Sequence, residues 1–172
     1  MSATLIEQRA AATERWFVDR DATSVEFAVK TFWGLSTVRG HFDRFDGSYA
    51  VGPGGTTIEL TIDAESIDTG NRRRDEHLRS TDFFDAAEHP SVRFRSTRVG
   101  PDGGGMLQVE GVLEAAGQVV PLELFASVHT VDGALEIETT TTVDHSLLGM
   151  SSGQLGMIRG LATLRVKARL VR

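Results

Sequence analysis

Five histidines, His41, His77, His89, His129 and His145, are the side chains of this sequence best suited to proton transfer or metal ligation. No two of them form the i,i+4 pair of a helical zinc site. Asp75 and His77 stand two apart, with Asp85 and His89 shortly after, so a metal could be held if that stretch folded back on itself. Surface positions or turn capping account for the same residues without an ion. The string Gly149-Met150-Ser151-Ser152-Gly153 has the spacing of a nucleophile elbow. That chemistry needs a sharp turn from a buried parallel strand into a helix. Neither flank reads that way, so the serines are taken as loop residues. Asp43, Asp46, Asp63, Glu65, Asp68 and Asp144 show no pairing suited to general acid and base roles. Arg72, Arg73 and Arg74 could clamp a phosphate, but consecutive positions cannot all face one site. No catalytic set emerges, and the protein is not expected to be an enzyme.

The elements around these residues are those of one domain. A chain of 172 residues, 40% hydrophobic, can build a substantial core but not two. A formal charge of −6 offers no overall attraction to nucleic acid or to anionic membranes. The absence of cysteine excludes disulfides and thiolate chemistry. Glu7 and Arg9 interrupt the opening stretch where a signal segment would be apolar, and no window approaches the roughly 20 apolar residues of a membrane span. A cytoplasmic protein without an integral membrane segment is expected. Residues 1–14 are read as a flexible or briefly helical lead-in, and 15–172 as the folded domain.

Within that domain the dominant period is two. Val25, Phe27 and Val29 alternate with polar neighbours in a run reaching Phe32, and a second strand from Thr37 to Tyr49 slips once near Asp43. Ile58, Leu60 and Ile62 define a half-buried strand after the Gly52 to Gly55 turn. Arg72 to Ser80 predicts a short helix, pinned by Leu78, Phe83 and Phe84. Strands then follow around Val92 and Phe94, Leu107 to Leu113, Val119 to Val131, Ala134 to Val143 and Leu161 to Val171. Asp132-Gly133 supplies a two-residue turn between two of them.

About eight antiparallel strands and one helical excursion predict an all-β fold, an eight-stranded antiparallel barrel rather than a sandwich. A closed sheet has no edges, and one of this size can enclose a small ligand. The interior rows fall on Phe27 and Val29, then Phe42, then Ile58 and Leu60. Val109, Leu122 and Leu124, Ile137, and finally Leu164 and Val166 continue them around the barrel. These are the candidate ligand-binding residues, and they would be plain core if the barrel were filled.

The segment Thr69 to Arg93, with Thr69, Arg74, Asp75, His77, Leu78, Asp82, Phe83, Phe84 and Pro90, resembles a motif block of the YceI-like family. These are bacterial lipocalin-like proteins associated with polyisoprenoid binding. Trp16, Asp19, Phe27, Lys30, Gly40, Phe42, Phe45, Gly47, Val109, Gly111, Leu113, Asp144 and Gly149 extend the resemblance from Trp16 to Val171. Four places depart from the pattern: Thr23-Ser24, Thr31, His145 where an arginine is usual, and Leu147-Leu148. The resemblance implies a lipocalin-like barrel with a short helical insertion, whose apolar channel takes an isoprenoid, quinone or fatty-acid-like lipid as cargo without requiring a cofactor. It transfers no catalytic residues. Arg74, Asp75 and His77 are then candidates either for a ligand head group or for anchoring the insertion. A ligand-free barrel used for protein interaction or as a stress-related structure is the alternative, a metal-assisted enzyme a weaker one, and homodimer formation stays open.

Overall fold

The computed structural model describes residues 12–31, 36–150 and 161–172. Eleven strand segments form one antiparallel sheet: β1 Glu14–Val18, β2 Ser24–Thr31, β3 Ser36–Phe42, β4 Phe45–Gly52, β5 Gly55–Asp63, β6 Ile67–Asp68, β7 Ser91–Pro101, β8 Leu107–Ala115, β9 Gln118–Val131, β10 Ala134–Asp144 and β11 Leu161–Val171. Their pairing resolves them into eight staves. β1 lies against β4 while β2 lies against β3, and β4 lies against β5 while β3 lies against β6. Each of β1/β2, β3/β4 and β5/β6 is therefore one long strand broken once, at a common level. The sheet closes where β1 pairs with β11, Phe17 opposite Val171 and Val18 opposite Leu170. The protein is an eight-stranded antiparallel barrel with a short helical insertion.

The breaks are built from short polar side chains. Asp19 accepts from the Asp21 amide at 3.2 Å and Asp63 from the Glu65 amide at 3.0 Å, each starting a single 3-10 turn between two segments. Across the break, Arg44 reaches Asp63 at 2.8 Å and makes its amide bond to buried Ser66 Oγ at 3.0 Å. Between β1 and β2 the backbone of Arg169 is not left open. Its N–H donates to Thr23 Oγ1 at 3.0 Å and its carbonyl accepts from the Asp19 amide at 2.8 Å. The ladder of β11 thus runs across the interruption. The slip anticipated near Asp43 is the real gap between β3 and β4, and the change of period after Asp63 falls at the break between β5 and β6, whereas the break at Asp19 carries no such signature.

The helix α1, Arg72–Arg79, is too short to persist alone. Asn71 caps it by accepting from the Arg74 amide at 3.0 Å. Buried Asp75 accepts from Thr69 through both the amide, at 2.9 Å, and the hydroxyl, at 2.5 Å. Arg74 returns two bonds to Thr69, and Arg79 donates to the carbonyls of Glu65 and Ile67, both at 2.9 Å. The insertion is therefore tied to the end of the β5/β6 stave. Asp75→Ala leaves a part-buried amide without its acceptor, and we expect a loss of about 2 kcal/mol of unfolding free energy by urea titration. An unchanged midpoint would show that the tie is dispensable.

Candidate ligand-binding cavity

Alternation places one face of every stave inside, but the inward side chains do not fill the space. On β11, Ala162, Leu164, Val166 and Ala168 face inward yet remain only half-buried, because the surface they keep borders a cavity. Its volume is about 200 Å³. Apolar cavities of about 150 Å³ stay dry and admit benzene-sized guests. Phe27, Phe42, Leu60, Phe94, Leu122 and Leu164 contribute much of the wall. From the insertion, Leu78, Phe83 and Phe84 close in on it, with Phe84 edge-on to Phe42 at 5.8 Å between ring centres.

Two inward threonines keep the wall apolar. Thr139 Oγ1 donates to the Phe125 carbonyl at 2.8 Å and Thr141 Oγ1 to the Glu123 carbonyl at 3.5 Å, so their hydroxyls are engaged with β9. Two glycines make room for rings. Gly40 lies directly opposite Phe27, and a Cβ there would meet the ring at 2.6 Å; Gly111 similarly passes under Phe94. The tips of the Phe27 and Phe94 rings thus approach glycine backbone more closely than any Cβ would allow.

Ten of the eleven residues selected from alternation border the cavity: Phe27, Val29, Phe42, Ile58, Leu60, Leu122, Leu124, Ile137, Leu164 and Val166. Val109 is fully buried in the core between Val99 and Leu124, and does not border it. Arg74, Asp75 and His77 lie outside the lining. The first two are occupied by Thr69, while His77 packs edge-on to Phe83 at 5.3 Å with Nε2 3.6 Å from Asp82. Asp75, His77, Asp85 and His89 do not gather around one point. Among the described residues the grouping with ligand-like spacing is His41, Asp43 and Asp68, brought together by β3–β6 pairing and largely exposed. The elbow-like string lies in part, from Ser151 to Gly153, outside the described residues, as do Phe32 and Trp33.

Sequence reasoning missed one wall residue of different character. His145 is 4% exposed and borders the cavity. It opens the 3-10 turn His145–Leu148, which Asp144 starts by accepting from the Ser146 amide at 2.9 Å and from the Ser146 hydroxyl at 2.5 Å. These two bonds, the hydroxyl first, hold the Asp144 carboxyl below its ordinary value. A carboxyl lowered by folding lends stability that is complete above its unfolded pKa, about 3.9, and lost as pH falls through the lower folded value. Hydrogen exchange at the Ser146 amide should accordingly lose protection below about pH 4. Asp144→Asn should keep the cap and remove that dependence; equal acid sensitivity in both would contradict the assignment.

A closed antiparallel barrel around a carbon-lined cavity, with an insertion packed along its wall, defines a lipocalin-like protein. The YceI-like domain model matches residues 16–170, and the chain belongs to this family. An UPF0312 protein of Vibrio cholerae is 35% identical over 106 residues, 60% of this chain and 56% of that protein. The chain thus matches little more than half the length of that relative. An UPF0312 protein of Shewanella baltica is 30% identical over 130 residues, 73% of this chain and 68% of its own. Among solved structures, BcnA of Burkholderia cenocepacia superposes with a TM-score of 0.80 at 20% identity, covering 88% of this chain and 98% of that one. A polyisoprenoid binding domain from Saccharophagus degradans gives 0.72 at 15% identity, covering 91% and 97%. At these identities the superpositions speak for the shared fold.

Proposed function

We propose that the protein binds one apolar small molecule, isoprenoid, quinone-like or fatty-acid-like, inside the barrel, and stores or carries it in the cytoplasm without transforming it. The observation that carries this reading is the cavity of about 200 Å³ with an almost wholly hydrocarbon wall. Each methylene withdrawn from water into such a wall contributes about 0.8 kcal/mol. A guest burying about ten carbons therefore gains about 8 kcal/mol to set against the cost of its own immobilisation. The like fold of the Saccharophagus degradans polyisoprenoid binding domain supports the same class of cargo. Several charged side chains pair on the outer surface instead: Arg44 with Asp63, Arg20 with Asp46 and Arg165 with Glu138.

Native mass spectrometry of freshly purified protein, followed by organic extraction and mass analysis, tests the proposal. One apolar molecule per chain is the expected finding. Only buffer and solvent species, in repeated preparations and after incubation with a short prenol, would count against it.

A further inference from the structure

His145 breaks the chemical uniformity of the cavity. Val143, Leu148 and Met150, its neighbours in sequence, are buried and apolar and border the same space. The imidazole sits among them with 4% exposure, and neither Nδ1 nor Nε2 has a hydrogen-bond partner among the described residues. The turn that carries it is held by the Asp144 cap, by the Gly149 amide on the Ser146 carbonyl at 3.1 Å, and by the left-handed Gly149 at φ 70°. The ring is thus placed by its backbone. A buried polar group without a partner destabilises the fold that contains it. A leucine at this position would pack without that penalty, so the ring invites a partner that arrives with the ligand.

The surroundings restrict what that partner can be. A neutral imidazole offers one N–H and one lone pair. A carbonyl oxygen accepts from the first, and a hydroxyl can bond to either. Besides His145, the polar residues bordering the cavity are Ser48, Glu59, Thr139 and Thr141. The threonine hydroxyls are engaged with β9, and Ser48 and Glu59 are cross-strand partners at the positions that alternate with inward Ile58 and Leu60. None of the four brings a positive charge to an ionised head group. The neighbouring Asp144 carboxylate is engaged by Ser146, and Arg74 is engaged by Thr69 outside the cavity. Carboxylates and phosphates are expensive to bury on such terms.

Building on the reading that the cavity takes an apolar guest, we infer that His145 is its polar anchor, and that the ligand is a neutral amphiphile: an apolar body bearing one carbonyl or hydroxyl group. The hydrocarbon wall supplies affinity, and the imidazole sets orientation and selects against both bare hydrocarbons and anions.

The test uses four cyclohexane compounds that share the ten-carbon p-menthane skeleton, p-menthane, menthone, menthol and p-menthane-3-carboxylate, competed against a fluorescent apolar probe. The wild-type protein should bind menthone and menthol about tenfold more tightly than p-menthane, the scale of one net hydrogen bond, and the carboxylate no better than p-menthane. His145→Leu should keep the affinity for p-menthane and lose the preference. In the unmodified protein, the imidazole ¹⁵N resonances of His145 should move with menthone or menthol and stay still with p-menthane; this arm does not depend on the variant folding. Equal wild-type affinities with unmoved nitrogens would overturn the anchor while leaving the apolar cavity reading intact. Tighter binding of the carboxylate would overturn the neutral head group. Failure of all four to bind would overturn the cavity reading and the anchor with it.

Discussion

Replacing Leu122 and Val166 together by phenylalanine should lower the affinity for an apolar probe about a hundredfold while leaving the barrel folded and more resistant to heat. Both side chains face the cavity from staves separated only by β10: Leu122 on β9 is paired with Gly111, and Val166 on β11 lies between Val25 and Thr139. Larger rings there occupy the space a guest would take. Displacing three or four methylene contacts at about 0.8 kcal/mol each accounts for the hundredfold loss. The opposite sign for stability follows from the cavity. At about 24 cal/mol for each Å³, an empty space of about 200 Å³ withholds close to 5 kcal/mol from the folded state. Partial filling without strain should recover about 1–2 kcal/mol of it. Probe titration and thermal unfolding measure the two effects separately. A variant that bound the probe normally would show that the guest sits elsewhere.

Gly111→Ala should be the most damaging single-atom change in the barrel, costing about 3 kcal/mol and lowering the melting temperature by roughly 6–12 °C. An added Cβ at this position would sit 2.5 Å from the Arg95 carbonyl oxygen and 2.6 Å from the Phe94 ring. The ring could swing into the cavity, but the carbonyl belongs to the paired β7 strand and cannot retreat without breaking the ladder. Relief by ring movement would also consume binding space, so probe affinity should fall with stability. Gly54→Ala is the control, since nothing lies within 4 Å of a Cβ there and the substitution should stay within about 0.5 kcal/mol of wild type. Equal tolerance at both positions would contradict the idea that glycine makes room for the aromatic wall.

Much of this architecture is legible from local pattern, because period-two burial is a property of each strand by itself. The final strand spans Leu161–Val171, as its alternation indicates, and Asp132-Gly133 forms the turn its chemistry demands, both residues at positive φ. What stays hidden depends on partners distant in sequence. The Asp19 and Asp63 caps look like ordinary polar residues until β11 and β4 are placed beside them. The Ala116-Gly117 turn joins β8 to β9 with Ala116 at φ 50°, and alanine carries no signal for that conformation. Inward Thr139 and Thr141 read as polar, yet their hydroxyls are taken up across the sheet. The burial of His145 is set by a 3-10 turn that alternation cannot foresee. Membership of a row also does not separate wall from core: Val109 shares its row's character but is packed solid.

The most direct test is crystallographic, with the protein grown in the presence of a brominated apolar guest such as bromobenzene and data collected at the bromine edge. A single anomalous peak inside the barrel, bounded by Phe27, Leu60, Leu124 and Leu164, is the result that follows from an open hydrocarbon interior. Side chains meeting across that space, with bromine absent or found only on the outer wall, would contradict it.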